Sequence, residues 1–436
     1  MCGINIFNKT NLNIDIINNL CSKRGPDELN ILKKNDVYFI HNLLHITGEK
    51  TLQPFVDNEI VCLFNGEIYN YLEYNKDYKT DGECLIPLYK EFDMDFTKKL
   101  DGEYAICLID FEKNIIIIST DAFSTKPLYY SFEDKHFMVS SLGDCIRKAE
   151  FKNIHKLPPN KTLKFDLNNF NKISETSVFT FDLKQHKKHF NDWNKAFENA
   201  ILKRTKNNKF YVCMSSGMDS GAICCVLNKF NIPYETYTVR GSENYGIICK
   251  RNEINKIKNK VKNNLFNLNS NDKKTHYDFI QKNCGDFSCR NPRYSVKKDK
   301  ASIGCSYISN LANKKYKIHI SGQGADEVLS DYGFNGRKLK KHSCFGGKFP
   351  EDLSKIFPWK SIYGGLGQCL LMKEEFIAGS YGIENRYPFL DKELVQEFLW
   401  LDHNLKNSKY KAPLNNYLDI NNYPYEKRLI KIGFDP

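Results

Sequence analysis

Long hydrophobic runs are missing from this chain of 436 residues, although hydrophobic residues make up 41% of it. No apolar stretch approaches the roughly 20 residues that a membrane-spanning helix needs. The N-terminal stretch MCGINIFNKTNLNIDIINNL also lacks the basic start and the apolar block of a secretory signal. We therefore predict a soluble protein of the cytoplasm that has no membrane partner.

A regular cysteine framework is absent as well. The 15 cysteines are odd in number and irregularly spaced in a long chain, which is not typical of a disulfide-stabilised secreted domain. Cys284 and Cys289 come closest to a metal-binding pair, but no second Cys/His pair follows at zinc-finger spacing. We expect reduced thiols, with a zinc site at this pair as the alternative.

Nucleic-acid recognition motifs are also lacking, although the net charge is +12. A nucleic-acid-binding protein would be basic too. Here, however, lysine and asparagine are abundant throughout, as in KRTKNNK (203–209) and KNKVKNN (258–264). We expect solvated basic surfaces and no nucleic-acid partner.

The strand-like and helix-like segments divide the chain into two domains, which its length also favours. Short β-rich runs fill residues 1–170, with one helix-like segment at 83–92. From 190 to 436, apolar strands alternate with helices, beginning with NDWNKAFENAILKRT at 191–205. We predict an α+β domain with antiparallel sheets, a boundary within 170–192, and an α/β domain with a mainly parallel sheet.

The stretch KFYVCMSSGMDSGAICCVL (209–227) predicts a buried strand, a glycine-containing turn and a helix. Hydroxyls, a glycine and the N–H groups of a helix N-terminus can cradle a phosphate. Asp219 adds a negative charge to this turn, which makes sense if Mg²⁺ lies between its carboxylate and the phosphates. The alternative is an ordinary N-capped turn, since Ser and Asp are both good caps.

A second loop with two glycines and a carboxylate, SGQGADE (321–327), follows the predicted strand YKIHI. Ligands of open α/β sheets bind at the carboxyl ends of the strands. Two loops that end neighbouring strands would therefore meet at one edge of the sheet. Asp219 and Asp326 are candidate ligands of one shared Mg²⁺.

In the first domain, Asn65-Gly66-Glu67 is the most informative tripeptide. An asparagine amide beside a glycine N–H can form an oxyanion hole. Glu67 and Asp81 carry the charge needed to hold an ammonium group. Each stretch also has a plainer interpretation, because Asn-Gly and Asp-Gly are common hairpin turns.

Motifs in both domains follow the order of a known family. The first domain resembles a class II glutamine amidotransferase domain of the N-terminal nucleophile (αββα) type, through MCGI, RGPD (24–27), NGEIYN (65–70), TDGE (80–83) and KPLYY (126–130). The second resembles the ATP-pyrophosphatase-type domain of asparagine synthetase, through SSGMDS (215–220), SGQGADE (321–327), GIENRYPFLD (382–391) and KIGF (431–434). The whole chain is therefore similar to the glutamine-hydrolysing asparagine synthetases.

The resemblance implies a reaction for the first domain. Removal of Met1 exposes the α-amino group of Cys2, which takes the thiol proton, so that one residue is both nucleophile and base. The thiolate attacks the side-chain amide of glutamine, and Asn65 and the N–H of Gly66 stabilise the oxyanion. Glu67 and Asp81 bind the glutamine. Water then releases glutamate, and the ammonia passes through a channel to the second domain.

In the second domain the resemblance implies that ATP and Mg²⁺ activate a carboxylate, with aspartate as the first candidate, and that ammonia displaces AMP. The implied nucleotide contacts are Met214, Ser215, Ser216, Gly217, Asp219, Ser220, Val239, Ser321 and Gly322. Gln323, Glu384 and Arg386 would line the acceptor site, Asp219 and Asp326 would hold the metal, and Lys431 would stabilise the pyrophosphate. The resemblance is also compatible with a homodimer.

Among the positions that depart from the family pattern, three bear directly on the predicted chemistry. Leu43 stands where the family has an arginine that pairs with the glutamine α-carboxylate. Either His45 or Lys50 supplies that cation instead, or glutamine binds weakly, or the amide donor is different. Ser216 replaces a glycine, and Gln323 replaces a carboxylate that acts as a base, which a glutamine cannot do. Two alternatives remain: an enzyme that amidates another carboxylate, and an amidohydrolase whose second domain only binds a nucleotide.

Overall fold

The computed structural model describes residues 1–289 and 293–427, which form two compact units. Unit 1 comprises residues 1–180 together with the short segments 283–286 and 378–383. Unit 2 comprises residues 181–282, 287–377 and the described residues from 384 onward. The main change from unit 1 to unit 2 falls inside the polar stretch 170–192.

The strands of unit 1 form two antiparallel six-stranded sheets. In chain order they are β1 (Gly3–Phe7), β2 (Glu28–Lys34), β3 (Val37–Leu43), β4 (Phe55–Asp57), β5 (Ile60–Ile68), β6 (Gly102–Asp110), β7 (Ile115–Thr120), β8 (Tyr129–Glu133), β9 (His136–Ser140), β10 (His155–Lys156), β11 (Thr162–Asp166) and β12 (Lys172–Thr176). The first sheet has the order β10-β8-β9-β1-β3-β2, and the second β12-β11-β7-β6-β5-β4.

Helices cover the outer faces of these sheets, and an apolar core lies between them. The helices are α1 (Ile14–Asn18), α2 (Cys21–Arg24), α3 (Tyr71–Tyr74), α4 (Leu85–Phe92), α5 (Phe96–Lys99) and α6 (Gly143–Lys148). Ile4 of β1 and Leu63 of β5 belong to the core between the sheets. Phe64 points the other way and packs with Leu85 of α4, because successive strand side chains alternate between faces. Since α2 and α6 contact the first sheet, the predicted αββα layering is confirmed.

Unit 2 is built on a five-stranded sheet with the order β15-β14-β13-β18-β21, in which all neighbouring strands are parallel. The strands of unit 2 are β13 (Phe210–Cys213), β14 (Glu235–Val239), β15 (Lys262–Phe266), β16 (Ser288–Cys289), β17 (Tyr294–Ser295), β18 (Ile318–Ile320), β19 (Gly333–Phe334), β20 (Arg337–Lys338) and β21 (Glu384–Arg386). The predicted parallel sheet is confirmed. The four short strands outside this sheet form two hairpins, which the sequence pattern did not indicate.

The helices of unit 2 are α7 (Asn191–Thr205), α8 (Met218–Lys229), α9 (Tyr245–Asn259), α10 (Ser270–Asn283), α11 (Lys300–Ala312), α12 (Ala325–Leu329), α13 (Lys360–Tyr363), α14 (Gly365–Gly379), α15 (Lys392–Trp400), α16 (His403–Asn407) and α17 (Ala412–Ile420). The predicted helix at 191–205 has the bounds that its apolar spacing indicated. None of the described helices has the length and apolar composition to cross a bilayer.

One disulfide corrects the expectation of reduced thiols. Cys289 of the β16–β17 hairpin is joined to Cys369 of α14, 80 residues away in the chain. Cys284 instead accepts a hydrogen bond from the hydroxyl of Ser380 at 3.2 Å. The alternative of a zinc site at Cys284 and Cys289 is therefore wrong, because the second sulfur is already bonded.

Candidate active sites

Cys2 lies at a fixed position beside the first sheet of unit 1. The strand that follows it, β1, pairs with β3 on one side and with β9 on the other. Its Sγ lies 4.0 Å from the carbonyl oxygen of Leu44, and its side chain is almost fully buried. A residue near a chain end is ordered when a sheet holds it, so this thiol has a defined environment.

The strand register identifies the neighbours of Cys2. Ile4 is opposite His41 in the antiparallel pairing of β1 with β3. Continuing that register by two residues places Cys2 beside Leu43. Directly opposite residues, and residues two apart, point to the same face of a sheet. Cys2, His41 and Leu43 therefore share the inner face on which Ile4 enters the core.

His41 is a member of this group that sequence reasoning missed. It is fully buried, and within the described part of the chain neither ring nitrogen has a hydrogen-bond partner. Burial, together with the positive charge of the chain N-terminus, lowers the pKa of His41 to about 3. The ring is therefore neutral at physiological pH. Its one sequence signal is a polar residue at an inward position of an apolar strand.

Asn65 and Gly66 have the properties of an oxyanion hole. Asn65 follows Leu63 by two residues on β5, so its side chain also points between the sheets. Among the described residues its buried amide has no hydrogen-bond partner. Gly66 has a φ of +139°, and a Cβ there would lie 1.9 Å from the carbonyl oxygen of Glu103, so no other residue fits. The unmatched amide is available to a substrate oxygen.

Glu67 and Asp81, the predicted ammonium-binding residues, are brought to the same end of β5. Burial raises the pKa of Tyr71, and the charges of Asp81 and Glu67 add to that effect, so both carboxylates lie near its hydroxyl. Asp81 begins a 3₁₀ turn, Asp81–Cys84, and its Oδ2 accepts a hydrogen bond from the N–H of Ile68 at 2.9 Å. The predicted group of Asn65, Glu67 and Asp81 therefore shares one strand end.

The two candidate replacements for the missing arginine both have partners in their own region. The Nε2 of His45 lies 3.0 Å from the carbonyl oxygen of Gly48. The Nζ of Lys50 is ion-paired with Glu28, and both side chains are well exposed.

In unit 2, the predicted phosphate loop joins β13 to α8. Ser220, in the first turn of α8, accepts a hydrogen bond from the N–H of Ser215 at 3.0 Å, and their hydroxyl oxygens lie 2.9 Å apart. The N–H of Gly217 donates to the Ser215 hydroxyl at 3.2 Å. Met214 before the loop is tied to β14 through the Thr238 hydroxyl at 2.7 Å. The loop is therefore a tight turn anchored at the carboxyl edge of the sheet.

The second predicted loop lies directly against the first. Strands β13 and β18 are neighbours, so the loops that follow them emerge side by side. A Cβ on Gly322 would lie 3.0 Å from the Cβ of Asp219. Ser321 and Val239 are buried at the ends of their strands. The structure therefore brings the sequence-predicted loops into contact.

Lys411 joins the two predicted metal ligands. Its Nζ lies 2.6 Å from an oxygen of Asp219 and 2.8 Å from an oxygen of Asp326. Burial alone would lower the pKa of Lys411, but the two carboxylates outweigh it and raise that pKa well above the ordinary value. Sequence reasoning missed this lysine because it lies 192 residues from Asp219 in the chain.

The donor set at this point suits a hard cation such as Mg²⁺. Oxygens of Asp219 and Asp326 converge on the position of one ammonium group, and two carboxylates with one lysine leave a net negative charge. Magnesium is often held by one or two carboxylates together with substrate phosphates. Among the described residues there is no group of three or more His, Cys, Asp or Glu side chains arranged for a metal.

One N–H group of the phosphate loop already donates a hydrogen bond to a carboxylate of the protein. Glu243, in the segment after β14, accepts a hydrogen bond from the N–H of Ser216 at 2.8 Å, and the Ser216 hydroxyl donates to the same oxygen. A glycine at position 216 could not supply the second donor. Ser216 and Glu243 therefore act together, and an anionic ligand that uses this N–H has to displace the carboxylate.

The predicted acceptor residues lie in different surroundings. The Nε2 of Gln323 donates to Glu327 at 2.6 Å, at the mouth of the second loop. Glu384 and Arg386 are both buried, and the Nε of Arg386 donates to Glu384 at 2.8 Å. These two side chains therefore contact each other within β21, and an acceptor role for them stays a prediction. Lys431 lies outside the described residues.

A comparison with protein families gives a match to the first part of the chain. The glutamine amidotransferase domain family matches residues 1–179. That range contains Cys2, Asn65, Gly66, Glu67 and Asp81. Residues 1–179 are therefore a glutamine amidotransferase domain.

Curated relatives extend the similarity along the chain. A protein of Methanocaldococcus jannaschii, named provisionally as asparagine synthetase (glutamine-hydrolysing) 1, is 27% identical over 430 residues, covering 91% of this chain and 73% of the relative. Asparagine synthetase (glutamine-hydrolysing) 1 of Arabidopsis thaliana is 24% identical over 407 residues, covering 88% of this chain and 66% of the relative. About nine tenths of this chain is therefore similar to proteins named glutamine-hydrolysing asparagine synthetases.

Among solved structures, the glutamine phosphoribosylpyrophosphate amidotransferase of B. subtilis, complexed with ADP and GMP, is 13% identical. It covers 48% of this chain and 60% of its own, with a TM-score of 0.34.

Proposed function

We propose that this protein is an ATP-dependent amidotransferase that hydrolyses glutamine at Cys2 and transfers the ammonia to an adenylated carboxylate. The observation that carries the proposal is the contact between the two loops of unit 2, with Asp219 and Asp326 converging on Lys411. A protein that only hydrolysed amides would have no need of this second constellation. Aspartate is the first candidate for the acceptor, because the curated relatives are named asparagine synthetases.

The chemistry in unit 1 starts once Met1 is removed. The α-amino group of Cys2 then takes the thiol proton, and the thiolate bonds to the amide carbon of glutamine. The Asn65 amide and the Gly66 N–H stabilise the oxyanion, ammonia leaves, and water hydrolyses the thioester to glutamate. Glu67 and Asp81 hold the ammonium group of the substrate.

In unit 2, a carboxylate oxygen of the acceptor bonds to the α-phosphorus of ATP, and pyrophosphate leaves. Ammonia then bonds to the acyl carbon, AMP leaves, and a proton is released. Ser215, Gly217 and Ser220 bind the phosphates, Met214, Val239, Ser321 and Gly322 contact the nucleotide, and Lys431 stabilises the pyrophosphate. Asp219 and Asp326 would hold Mg²⁺, which when bound neutralises phosphate charge.

A second candidate function is amidation of a different carboxylate. Gln323 favours it, because an uncharged side chain bonded to Glu327 replaces a carboxylate at the acceptor site. Amidation of aspartate and amidation of a different carboxylate would use the same chemistry in unit 2 and would differ only in the acceptor.

Pyrophosphate release with ammonia as nitrogen source tests the proposed function without relying on the glutamine site. We expect AMP and pyrophosphate to form from ATP when the correct carboxylate is present and not otherwise. Aspartate, other amino-acid carboxylates and sugar acids form the panel, and an Asp219→Asn variant is the inactive control. If no carboxylate elicits pyrophosphate, the synthetase proposal is wrong.

We predict that Leu43→Arg lowers the KM for glutamine. Leu43 is the neighbour of Cys2 on the inner face of β3, so a guanidinium there can reach the α-carboxylate of glutamine. Hydrogen bonds to charged groups are worth about 1.5–3 kcal/mol, which corresponds to a roughly tenfold to hundredfold lower KM. The KM for glutamine is measured from the rate of glutamate release.

The matched control is Leu43→Met, which keeps the volume without the charge and should leave KM unchanged. Melting curves of both variants check that the buried arginine has not unfolded unit 1. An arginine variant that folds and shows an unchanged or higher KM would remove the missing-cation argument.

We predict that Glu243→Gln lowers the KM for ATP several-fold. The carboxylate competes with phosphate for the N–H of Ser216, and the neutral amide competes less strongly because it lacks the charge. Acceptor-dependent pyrophosphate release at varied ATP gives the KM. Glu253→Gln on α9, an exposed position, should change nothing. An increase in KM would mean that Glu243 helps to shape the loop instead of competing with ATP.

A further inference from the structure

The carboxylates at the edge of the sheet in unit 2 differ in how strongly they are held. Asp219 and Asp326 are both ion-paired with Lys411. Glu327 accepts hydrogen bonds from the side chain of Gln323 at 2.6 Å, the N–H of Gly324 at 3.0 Å and the hydroxyl of Tyr332. Donors and cations of this kind stabilise the ionised form of a carboxylate and make it a poor base.

Glu374 is different. It lies on α14, is only partly buried, and among the described residues its hydrogen-bond partner is the hydroxyl of Ser321, at 2.6 Å. Burial raises the pKa of Glu374 to about 7, although the Ser321 hydroxyl and Lys373 act in the opposite direction. A carboxyl group that titrates near neutral pH can accept a proton at working pH and release it again.

The charged and titratable groups that face Glu374 come from four elements. They are Lys373 and Glu375 on its own helix, Glu327 on α12, Cys305 on α11, and Tyr211 and Cys213 on β13. The one cation among them, Lys373, is also bound to Asp299 at 3.3 Å. Glu374 therefore has one cation nearby, and it shares that cation with Asp299.

Glu374 also lies close to the two loops at the carboxyl edge of the sheet. Ser321, its partner, is the first residue of the second loop, and Gly322 lies against Asp219 of the first loop. Helix α14 contacts the same loop further along, since a Cβ on Gly367 would lie 2.7 Å from the side chain of Glu327. The carboxylate of Glu374 therefore contacts the second loop at Ser321. The next residue of that loop, Gly322, lies against the first loop.

We propose that Glu374 is the general base of the amination step, an inference that rests on the proposed function. As the nitrogen of ammonia bonds to the acyl carbon and the bond to AMP breaks, one N–H proton passes to a carboxylate oxygen of Glu374. The products are the amide, AMP and a protonated Glu374, which returns the proton to water. Gln323 cannot take this role because an amide does not accept a proton.

The experiment separates the two half-reactions in Glu374→Gln. Acceptor-dependent exchange of pyrophosphate into ATP reports adenylation, and product formation from a saturating nitrogen nucleophile reports amination. We expect exchange within about twofold of wild type and amination slower by about 10²–10³-fold, the range of general-base catalysis. Glu351→Gln, at an exposed position of unit 2, is the matched control and should match wild type in both assays.

A pH profile adds a readout that a structural role would not give. With hydroxylamine, which is uncharged at neutral pH, amination by the wild type should rise with pH and level off above about 7. Glu374→Gln should be slow and flat over that range, and Glu374→Asp should keep the pH dependence at a reduced rate.

Each outcome has a clear meaning. Equal amination rates in wild type and Glu374→Gln would overturn the assignment, and so would an equal loss of exchange and amination, which indicates a structural role. If the wild type shows no exchange with any carboxylate, it is the proposed function that fails. The two failures are therefore distinguishable.

Discussion

Replacing Cys2 with alanine should reduce glutamine-dependent amide formation by roughly three orders of magnitude or more, the scale expected when a covalent nucleophile is lost. The sheet position of Cys2, beside Leu43 and on the same inner face as His41, shows that the thiol is held in place. In the proposed reaction the oxyanion partner is the buried amide of Asn65, which has no hydrogen-bond partner among the described residues. Without the thiolate, that site has no group that can bond to the amide carbon.

The same variant should keep amide formation from added ammonia within about twofold, because ammonia bypasses the nucleophile. Glutamate release, AMP formation and amide formation are measured in parallel. Cys107→Ala is the matched control, since Cys107 is a buried cysteine of the core between the sheets. An equal loss of the glutamine and ammonia reactions in Cys2→Ala would contradict the assignment of separate sites.

A related condition is that the mature chain begins at Cys2. While Met1 is attached, the nitrogen of Cys2 is part of a peptide bond and cannot take the thiol proton. Mass measurement of the purified protein identifies the first residue. A short N-terminal extension should abolish glutamine hydrolysis and spare the ammonia reaction.

Replacing Lys411 with methionine should have the largest effect on the second reaction. Methionine is similar in length but has no charge, so Asp219 and Asp326 would face each other without their shared ammonium group. Breaking a buried ion pair by removing one partner typically costs about 3–5 kcal/mol. A loss of about 2.7 kcal/mol in transition-state stabilisation slows a reaction by about 10²-fold. Because the cost of breaking the ion pair is at least this large, we expect acceptor-dependent pyrophosphate release to fall by about 10²-fold or more.

Lys409→Met is the matched control. Lys409 lies two residues earlier and forms an exposed ion pair with Asp419 at 3.1 Å, and exposed pairs contribute little. Glutamate release should persist in both variants if the loss is confined to the second reaction, and melting curves check folding. A folded Lys411→Met with wild-type pyrophosphate release would show that the lysine has no part in the chemistry.

The sequence predicts most of the fold because its signals are local. Short β-rich apolar runs mark β3, β5, β6 and β7, and helical spacing marks α7. The short strands β19 and β20, of two residues each, carry no such pattern. The disulfide between Cys289 and Cys369 could not be predicted either, since pairing depends on geometry that spacing does not contain.

The residues of the candidate sites can likewise be separated into those with a local sequence signal and those without one. Asn65, Gly66, Asp219 and Asp326 lie within contiguous motifs, so the sequence indicates them together with their chemistry. Contacts between distant segments are invisible at that level. Lys411, Glu243 and Glu374 reach the loops of unit 2 from 192, 27 and 53 residues away from their partners, and no local pattern connects them.

Glu384 and Arg386 show that residues of a predicted site can also be partners of each other. Their motif favours a role in acceptor binding, but in β21 their charges contact each other in a buried pair. A charged residue in a motif can serve the strand that carries it as well as a ligand. Only the side-chain partners distinguish these uses.

The central claim, that one chain couples glutamine hydrolysis at Cys2 to ATP-dependent amidation, is tested most directly by following the amide nitrogen. Wild-type protein is supplied with ATP, the acceptor found by the pyrophosphate screen, and glutamine isotopically labelled at its amide nitrogen, in the presence of unlabelled ammonia. The account predicts labelled amide product from the wild type and unlabelled product from Cys2→Ala. Product without the label in the wild type, or labelled product in Cys2→Ala, would contradict it.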